Sequence, residues 1–436
     1  MKSFDFEKNI GIETFFTDYA GISGKLRTIP EDFIVNEVFL YPKKVENGCF
    51  AIAEVSSKNW ETHRLVRELS KRLKISQKRI SFAGTKDKRA CSTQLMSFHN
   101  ISKDELSNVN IKDVSINDMY HSDKTIRIGS LLGNRFEIIV RNIDKKTGKD
   151  QIEAIALKIT ENGGFPNFYG IQRFGIIRPI THIVGKHLVH GDLESAVMEY
   201  VANPIKGEDE KTYQLRKELQ QTHDFSKALQ SYPTVLSFEK AILNRLVVDP
   251  KDFAGALQEL QKNLLMMFIN AYQSYLFNKI ISERIRRKIP IHQAIVGDVI
   301  QPIRDNILEG NYISVTEPNI EKVNKQITKN KAVITGLLVG YDSFFSKGEM
   351  GEIEQSVIEK ETFDYRDFII PDIPFLSSKG SRRSILGLIN DIEWKLNKDG
   401  LNDDKQALTI KFELQKGCYA TSLLREFMKS KNARDY

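Results

Sequence analysis

Apolar positions recur in two rhythms along this chain, and the rhythm changes twice. The first part alternates short apolar runs with turn residues. Phe33-Ile34-Val35 and Phe50-Ala51-Ile52-Ala53 fall in a segment, 24–55, that predicts strands. Leu65, Leu69 and Leu73 then return every fourth residue, which predicts a helix over Thr62–Lys74. Ile80-Ser81-Phe82-Ala83 reads as a strand ended by Gly84-Thr85. A charged loop, Lys86-Asp87-Lys88-Arg89, separates it from an extended run, Thr93 to Phe98. Phe136–Val140 predicts another strand, and Ile152, Ile155, Ala156 and Ile159 mark a helix that Gly163-Gly164 stops. From about 190 to 375 the texture becomes helical. Lys206–Lys211 is a charged surface run, and Asn263–Lys288 predicts a long amphipathic helix through Leu265, Phe268, Tyr272, Leu276 and Ile280. Glu321–Lys331 predicts a polar helix. After 377 the strand period returns. Leu408, Ile410, Phe412 and Leu414 alternate with Thr409, Lys411 and Glu413, and a helix follows at Thr421–Lys429. Strand-rich ends around a helix-rich middle predict one α+β domain interrupted by an insertion.

Length and composition narrow the class. At 436 residues the chain has room for two or three cores of roughly 150 residues each. Hydrophobic residues make up 41% and charged residues 28%, which excludes a disordered chain. No window holds the ~18 unbroken apolar residues of a membrane span. The most apolar helix is interrupted by Asn270, Gln273 and Asn278, and Met1-Lys2-Ser3-Phe4-Asp5 opens no secretory signal. Cys49, Cys91 and Cys418 are too few and too far apart for a disulfide framework or a cysteine-based zinc module. A reducing cytoplasm is the expected location.

Charge adds a partner class. The net charge is +7, from 64 basic against 57 acidic residues. One window holds Lys58, Arg64, Arg67, Lys71, Arg72, Lys74, Lys78, Arg79, Lys86, Lys88 and Arg89, opposed only by Glu61, Glu68 and Asp87. Such a patch attracts polyanions through counterion release, and equally serves as a solvated helix face. The cluster Arg284–Lys288 closes the long helix, where the helix dipole accounts for it.

Several chemistries find no support. The sequence has no Walker A pattern, no GxGxxG after a strand, no HExxH, no CxxC and no GxSxG. His182, His187, His190 and Asp192 are close together, but their spacing fits no standard metal site and predicts a surface helix and its end. Three stretches carry more. Gly84-Thr85-Lys86-Asp87-Lys88-Arg89-Ala90 sets one carboxylate among three cations, which hold it ionised. An ionised Asp repels phosphate, so it suits a nucleophile or base whose neighbours grip the backbone around it. A surface ion pair is the plainer alternative. Asn167-Phe168-Tyr169-Gly170-Ile171-Gln172-Arg173-Phe174-Gly175 offers stacking rings and amides that read base edges, or else a core strand. Gly417-Cys418-Tyr419-Ala420-Thr421 stands where the alternating strand meets its helix; Tyr419 there stacks on a base or caps the core.

In this order, these three stretches resemble the TruD family of tRNA pseudouridine synthases. Further stretches agree: Pro30-Glu31-Asp32-Phe33; Ile128-Gly129 with Leu132–Phe136; Arg178-Pro179 with Thr181-His182; Gln273–Asn278 with Ser282-Glu283-Arg284; Gly297-Asp298; Lys379–Arg383. The resemblance runs from about 20 to 430. Two positions depart from the usual pattern: Phe168-Tyr169 where Tyr-Phe is commoner, and Cys418 where Ser is usual.

The resemblance implies a pseudouridine synthase catalytic domain, a mixed and mainly antiparallel sheet flanked by helices, formed by 1–189 plus 376–436. A helix-rich α/β insertion domain over 190–375 interrupts it. It implies isomerisation of a uridine in RNA, typically uridine 13 of tRNA, with no cofactor and no catalytic metal. Asp87 maps onto the essential aspartate, and Phe33, Asn167 and Tyr419 onto substrate-contacting positions. Tyr169 or Tyr419 is the expected floor for a flipped base. Arg173, Lys86 and Arg89 are the expected phosphate grips. The partner is tRNA, with no membrane and no obligate protein partner. A non-catalytic RNA binder and a uracil-excising glycosylase are the competing readings.

Overall fold

A computed structural model describes residues 1–304, 307–389 and 391–436. Packing divides the chain into two interleaved units. A sheet unit is made chiefly of Thr17–Phe165 and Gly387–Tyr436, and a helical unit of Met1–Phe16, Pro166–Arg304 and Leu308–Leu386. No helix among the described residues is long and apolar enough to cross a membrane.

In the sheet unit the period-two rows build one mixed sheet. Its strands are β1 (Phe33–Phe39), β2 (Phe50–Lys58), β3 (Ile80–Phe82), β4 (Cys91–His99), β5 (Val114–Ser122), β6 (Leu131–Asp144), β7 (Glu393–Lys398) and β8 (Lys405–Gln415). They lie in the order β7-β8-β6-β1-β4-β2-β5, with β3 beside β4. Only β1 and β4 pair in parallel. The register sets Phe33 opposite Ile138 and Ile138 opposite Ile410, so the apolar rows share one face. That face buries against helix α2 (Lys149–Glu161), through Ile152, Ile155 and Ile159, and against the C-terminal helix, Ala420–Met428, through Leu423, Leu424 and Phe427. Helix α1 (Thr62–Arg72) covers β2 and β4, with Leu65, Val66 and Leu69 against Ala53, Val55 and Met96. The predicted strands and helices all form. Most strands run longer than their apolar cores, because cross-strand hydrogen bonds carry the polar ends.

The helical unit is built around α4 (Lys262–Arg286), with α3 (Thr181–Val189) beside it. The predicted amphipathic character of the long helix is not observed. Its buried residues include Gln273, Ser274, Asn278, Ser282 and Arg284 as well as the apolar ones. Each polar group finds a distant partner. Gln273 Nε2 donates to the Val339 carbonyl at 2.6 Å. Ser282 Oγ donates to Gly11 and accepts from the Glu13 amide, both at 3.0 Å. Arg284 is fully buried in a two-bond pair with Asp298, at 2.6 and 2.9 Å, so Arg286, Arg287 and Lys288 are left for the dipole role. The expected surface helix around His182 is also corrected. In α3, Thr181, His182, Val184, Gly185, Leu188 and Val189 are buried. His182 stacks on Tyr275 and meets Phe174 edge-on. A four-stranded path, Ile313–Ser314, Val299–Arg304, Ala332–Leu338 and Ser381–Ser384, completes the unit. Packing groups 1–16, 166–189 and 376–386 with the helical unit.

Candidate active site

The sheet unit presents the Asp87 loop. β3 ends at Phe82 and β4 begins at Cys91, so the loop spans the gap between two paired strands. Asp87, Lys88 and Arg89 are exposed, while Lys86 and Ala90 at its two ends are buried. Asp87 Oδ2 accepts a charge-assisted hydrogen bond from Arg27 Nη2 at 2.8 Å. No donor among the described residues meets Oδ1, and the Asp87 side chain is 63% exposed. One carboxylate oxygen is held and the other faces solvent.

Arg27 is itself tightly placed. Its backbone has φ +54°, a left-handed conformation unusual for a side chain that gains nothing locally from it. Its guanidinium lies 4.2 Å from the centre of the Phe33 ring. Burial lowers its pKa, and Asp87 opposes that shift. Phe33 is buried, edge-on to Phe136. It therefore does not offer an open ring; it is the floor on which Arg27 rests.

Lys86 differs from expectation. Its ammonium does not face solvent as a phosphate grip; it is buried against Glu37, with Nζ 2.6 Å from Oε1. The Lys86 amide donates to Thr62 Oγ1 at 2.7 Å. Arg89 remains exposed beside Lys88. Tyr419 is half-buried at the start of the C-terminal helix, where its carbonyl accepts the Ser422 amide at 3.0 Å. Within the wider basic window, Lys58 pairs with Glu31, Arg72 with Glu68, and Arg79 donates to the His99 and Asn100 carbonyls. Arg67, Lys71, Lys74, Lys78 and Lys88 stay exposed.

The helical unit holds the second set. Asn167 is 2% exposed and its amide is engaged at both ends. Nδ2 donates to the Ser384 carbonyl at 3.1 Å, and Oδ1 accepts from Arg383 Nη2 at 2.9 Å. Tyr169 is buried too. The Asn278 side chain clamps its backbone, accepting from the amide at 2.8 Å and donating to the carbonyl at 2.9 Å. The Arg383 guanidinium lies 4.1 Å from the centre of its ring, and Phe277 meets it edge-on. Neither side chain is open to a base in this state. Arg173, half-buried, donates Nε to Ser274 Oγ at 3.3 Å.

The eight expected residues therefore fall into two sets. Asp87, Lys86, Arg89, Phe33 and Tyr419 belong to the sheet unit, and Asn167, Tyr169 and Arg173 to the helical unit. Residues that sequence reasoning passed over complete both. Arg27 carries no local signal beyond its charge. Glu37 does: it is the third member of the buried row Phe33-Val35-Glu37, an acid where the strand period asks for an apolar side chain. Arg383 and Asn278 lie inside stretches already singled out, without a role.

A mixed sheet covered by helices on one face, with an exposed aspartate held by an arginine between two strands, is the architecture of a pseudouridine synthase, an isomerase. The chain belongs to the tRNA pseudouridine synthase D (TruD) family, whose pattern matches residues 9–427. A probable tRNA pseudouridine synthase D of Methanococcoides burtonii is 43% identical over 97% of each chain. One from Archaeoglobus fulgidus is 37% identical over 97% of this chain and 99% of its own. The crystal structure of the putative tRNA pseudouridine synthase D from Methanosarcina mazei superposes with a TM-score of 0.90, at 38% identity and full coverage of both chains.

Proposed function

We propose that this protein converts uridine 13 of tRNA to pseudouridine, with Asp87 as the essential residue and no cofactor. The observation that carries the reading is the asymmetric hold on Asp87: Oδ2 bound to Arg27, Oδ1 open. The reaction breaks the C1′–N1 bond, turns the uracil and joins C1′ to C5. C5 loses a proton and N1 gains one, so nothing is consumed. Oδ1 either attacks C1′ or removes the ribose 2′ proton, and in both cases Arg27 keeps the carboxylate aimed. The target base has to leave its stack to be reached.

In this reading the catalytic domain is 1–189 plus 376–436 and the insertion is 190–375. Arg89, Lys88 and Arg173 meet phosphates, and Tyr419 meets the extruded nucleotide. Asn167 and Tyr169 act through Arg383, which they hold, and Phe33 through Arg27. The scarcity of cysteine, three in 436 residues, supports a cytoplasmic location.

Pseudouridine mapping on unmodified tRNA transcripts tests the reading. Wild-type protein is expected to leave one pseudouridine at position 13, and Asp87→Asn none, with RNA binding within about threefold. Release of free uracil would instead identify a glycosylase. Binding lost together with activity would remove Asp87 from the chemistry. A 2′-deuterated uridine separates the two roles of Oδ1: a primary isotope effect on the single-turnover rate marks proton abstraction, and its absence marks attack at C1′.

A further inference from the structure

We infer that Glu37 is a positioning residue for the isomerisation, fixing through Lys86 the backbone that carries Asp87. The inference rests on the function proposed above. Asp87, Lys88 and Arg89 are exposed, and besides the Arg27 bond to Asp87 the loop is held at its two buried ends. At one end Asn59 donates its amide to the Ala90 carbonyl at 2.9 Å. At the other, Lys86 is tied directly to two elements and through Glu37 to a third. Its ammonium reaches Glu37 in β1 at 2.6 Å, its amide reaches Thr62 at the start of α1 at 2.7 Å, and the second oxygen of Glu37 accepts the Leu95 amide of β4 at 3.1 Å.

The Glu37 side chain is 0% exposed and that of Lys86 is 6%. An ion pair so placed is a poor source of stability. Two charges lose their water, and apolar side chains of similar size fill such a site as well or better. What the pair supplies is a single geometry. A lysine held at its ammonium by a carboxylate and at its backbone amide by a hydroxyl keeps one position, whereas an apolar pair tolerates sliding. The residue it fixes is the one immediately before the carboxylate whose oxygen has to reach C1′. Displacement of a reacting group by about 1 Å costs on the order of 100-fold in rate.

The test compares Glu37→Gln, which leaves Lys86 buried and unpaired, with the double variant Glu37→Leu/Lys86→Met, which replaces the pair by apolar side chains. The full chain is used for thermal melting, single-turnover and steady-state kinetics on tRNA, and amide hydrogen exchange over 85–89. The double variant is expected to melt at or above the wild-type midpoint. Its kcat is expected to be about 100-fold lower with KM within about threefold, and the loop amides are expected to exchange faster. A merely structural pair would give back activity together with stability. A double variant with wild-type kcat, or with unchanged loop exchange, overturns the inference. If wild-type protein isomerises no uridine, the function proposed above fails, and the exchange measurement still decides whether the pair orders the loop.

Discussion

His182 lies between Tyr275 and Phe174, with its Nδ1 buried and without a donor, and burial pulls its pKa down to about 4. In the unfolded chain the same ring titrates near 6.5. Between those values the unfolded state binds a proton that the native state refuses. Stability therefore falls as pH drops from about 6.5 to about 4, by at most about 1.4 kcal/mol per pH unit, and this contribution is flat below. Asp399 acts in a lower window. Burial works against its carboxylate, but the Asn142 and Leu401 amides, Asn402 and Arg141 outweigh it and bring its pKa to about 2. Its contribution is present above about 4 and lost as pH falls through about 2. Urea melts at pH 7, 5.5 and 4.5 are expected to show the first loss in wild-type protein and a smaller one in His182→Phe. At this scale the sequence was legible where a residue acts by its own chemistry and illegible where a distant partner decides. Asp87 could be singled out from its loop alone. Lys86 read as a free cation because Glu37, which neutralises it, lies 49 residues away. Tyr169 read as an open ring because Arg383, which covers it, belongs to a strand more than two hundred residues on.

Elements were legible to within a few residues, and their surroundings were not. The long helix was expected over Asn263–Lys288 and runs Lys262–Arg286. Its polar residues looked like a solvent face because their partners come from three other parts of the chain: Ile10 and Gly11, Tyr169, and Val339. The neighbouring α3 packs so closely that a Cβ on Gly185 would stand 2.1 Å from the Phe268 carbonyl oxygen and 3.1 Å from the Tyr272 Cβ. Backbone cannot yield to one methyl as a flexible side chain can. Gly185→Ala is therefore expected to destabilise the helical unit by about 1–3 kcal/mol, seen as a lower midpoint in thermal melting. An unchanged midpoint would mean that the two helices slide apart freely.

Across the whole molecule, the interrupted α+β plan was readable from where the strand period stops and resumes, and the mixed sheet only through the family resemblance. The first sixteen residues were not assignable that way, since partners such as Asn278 and Ser282 of α4 lie 268 and 271 residues on. The charge pattern gives the molecule-scale prediction. Pairing ties up Lys58, Arg72, Arg79 and Lys86; besides Arg64, over the Trp60 ring, and Lys88 and Arg89 in the loop, four exposed cations are left on one helix and the turn after it: Arg67, Lys71, Lys74 and Lys78. RNA binding is expected to weaken steeply between low and physiological salt. Replacing those four residues by Ala is expected to flatten the slope of log K against log salt by up to about 3. Filter binding over a salt series measures this, and an unchanged slope would place the RNA footprint elsewhere.

The interleaving of the two units also fixes an order of events during synthesis. Ile10 leaves the ribosome 268 residues before Asn278, the side chain that binds its carbonyl, and Thr17 leaves 409 residues before Glu426. At roughly 5–20 residues per second these gaps amount to tens of seconds. The sheet unit begins early yet lacks β7, β8 and the helix Ala420–Met428 until residues 393–428 have been made. The helical unit, apart from Met1–Phe16, is made from Pro166 on and has all its parts by Leu386. The nascent chain thus carries a half-built sheet, with the β6 edge open, while the helical unit is completed.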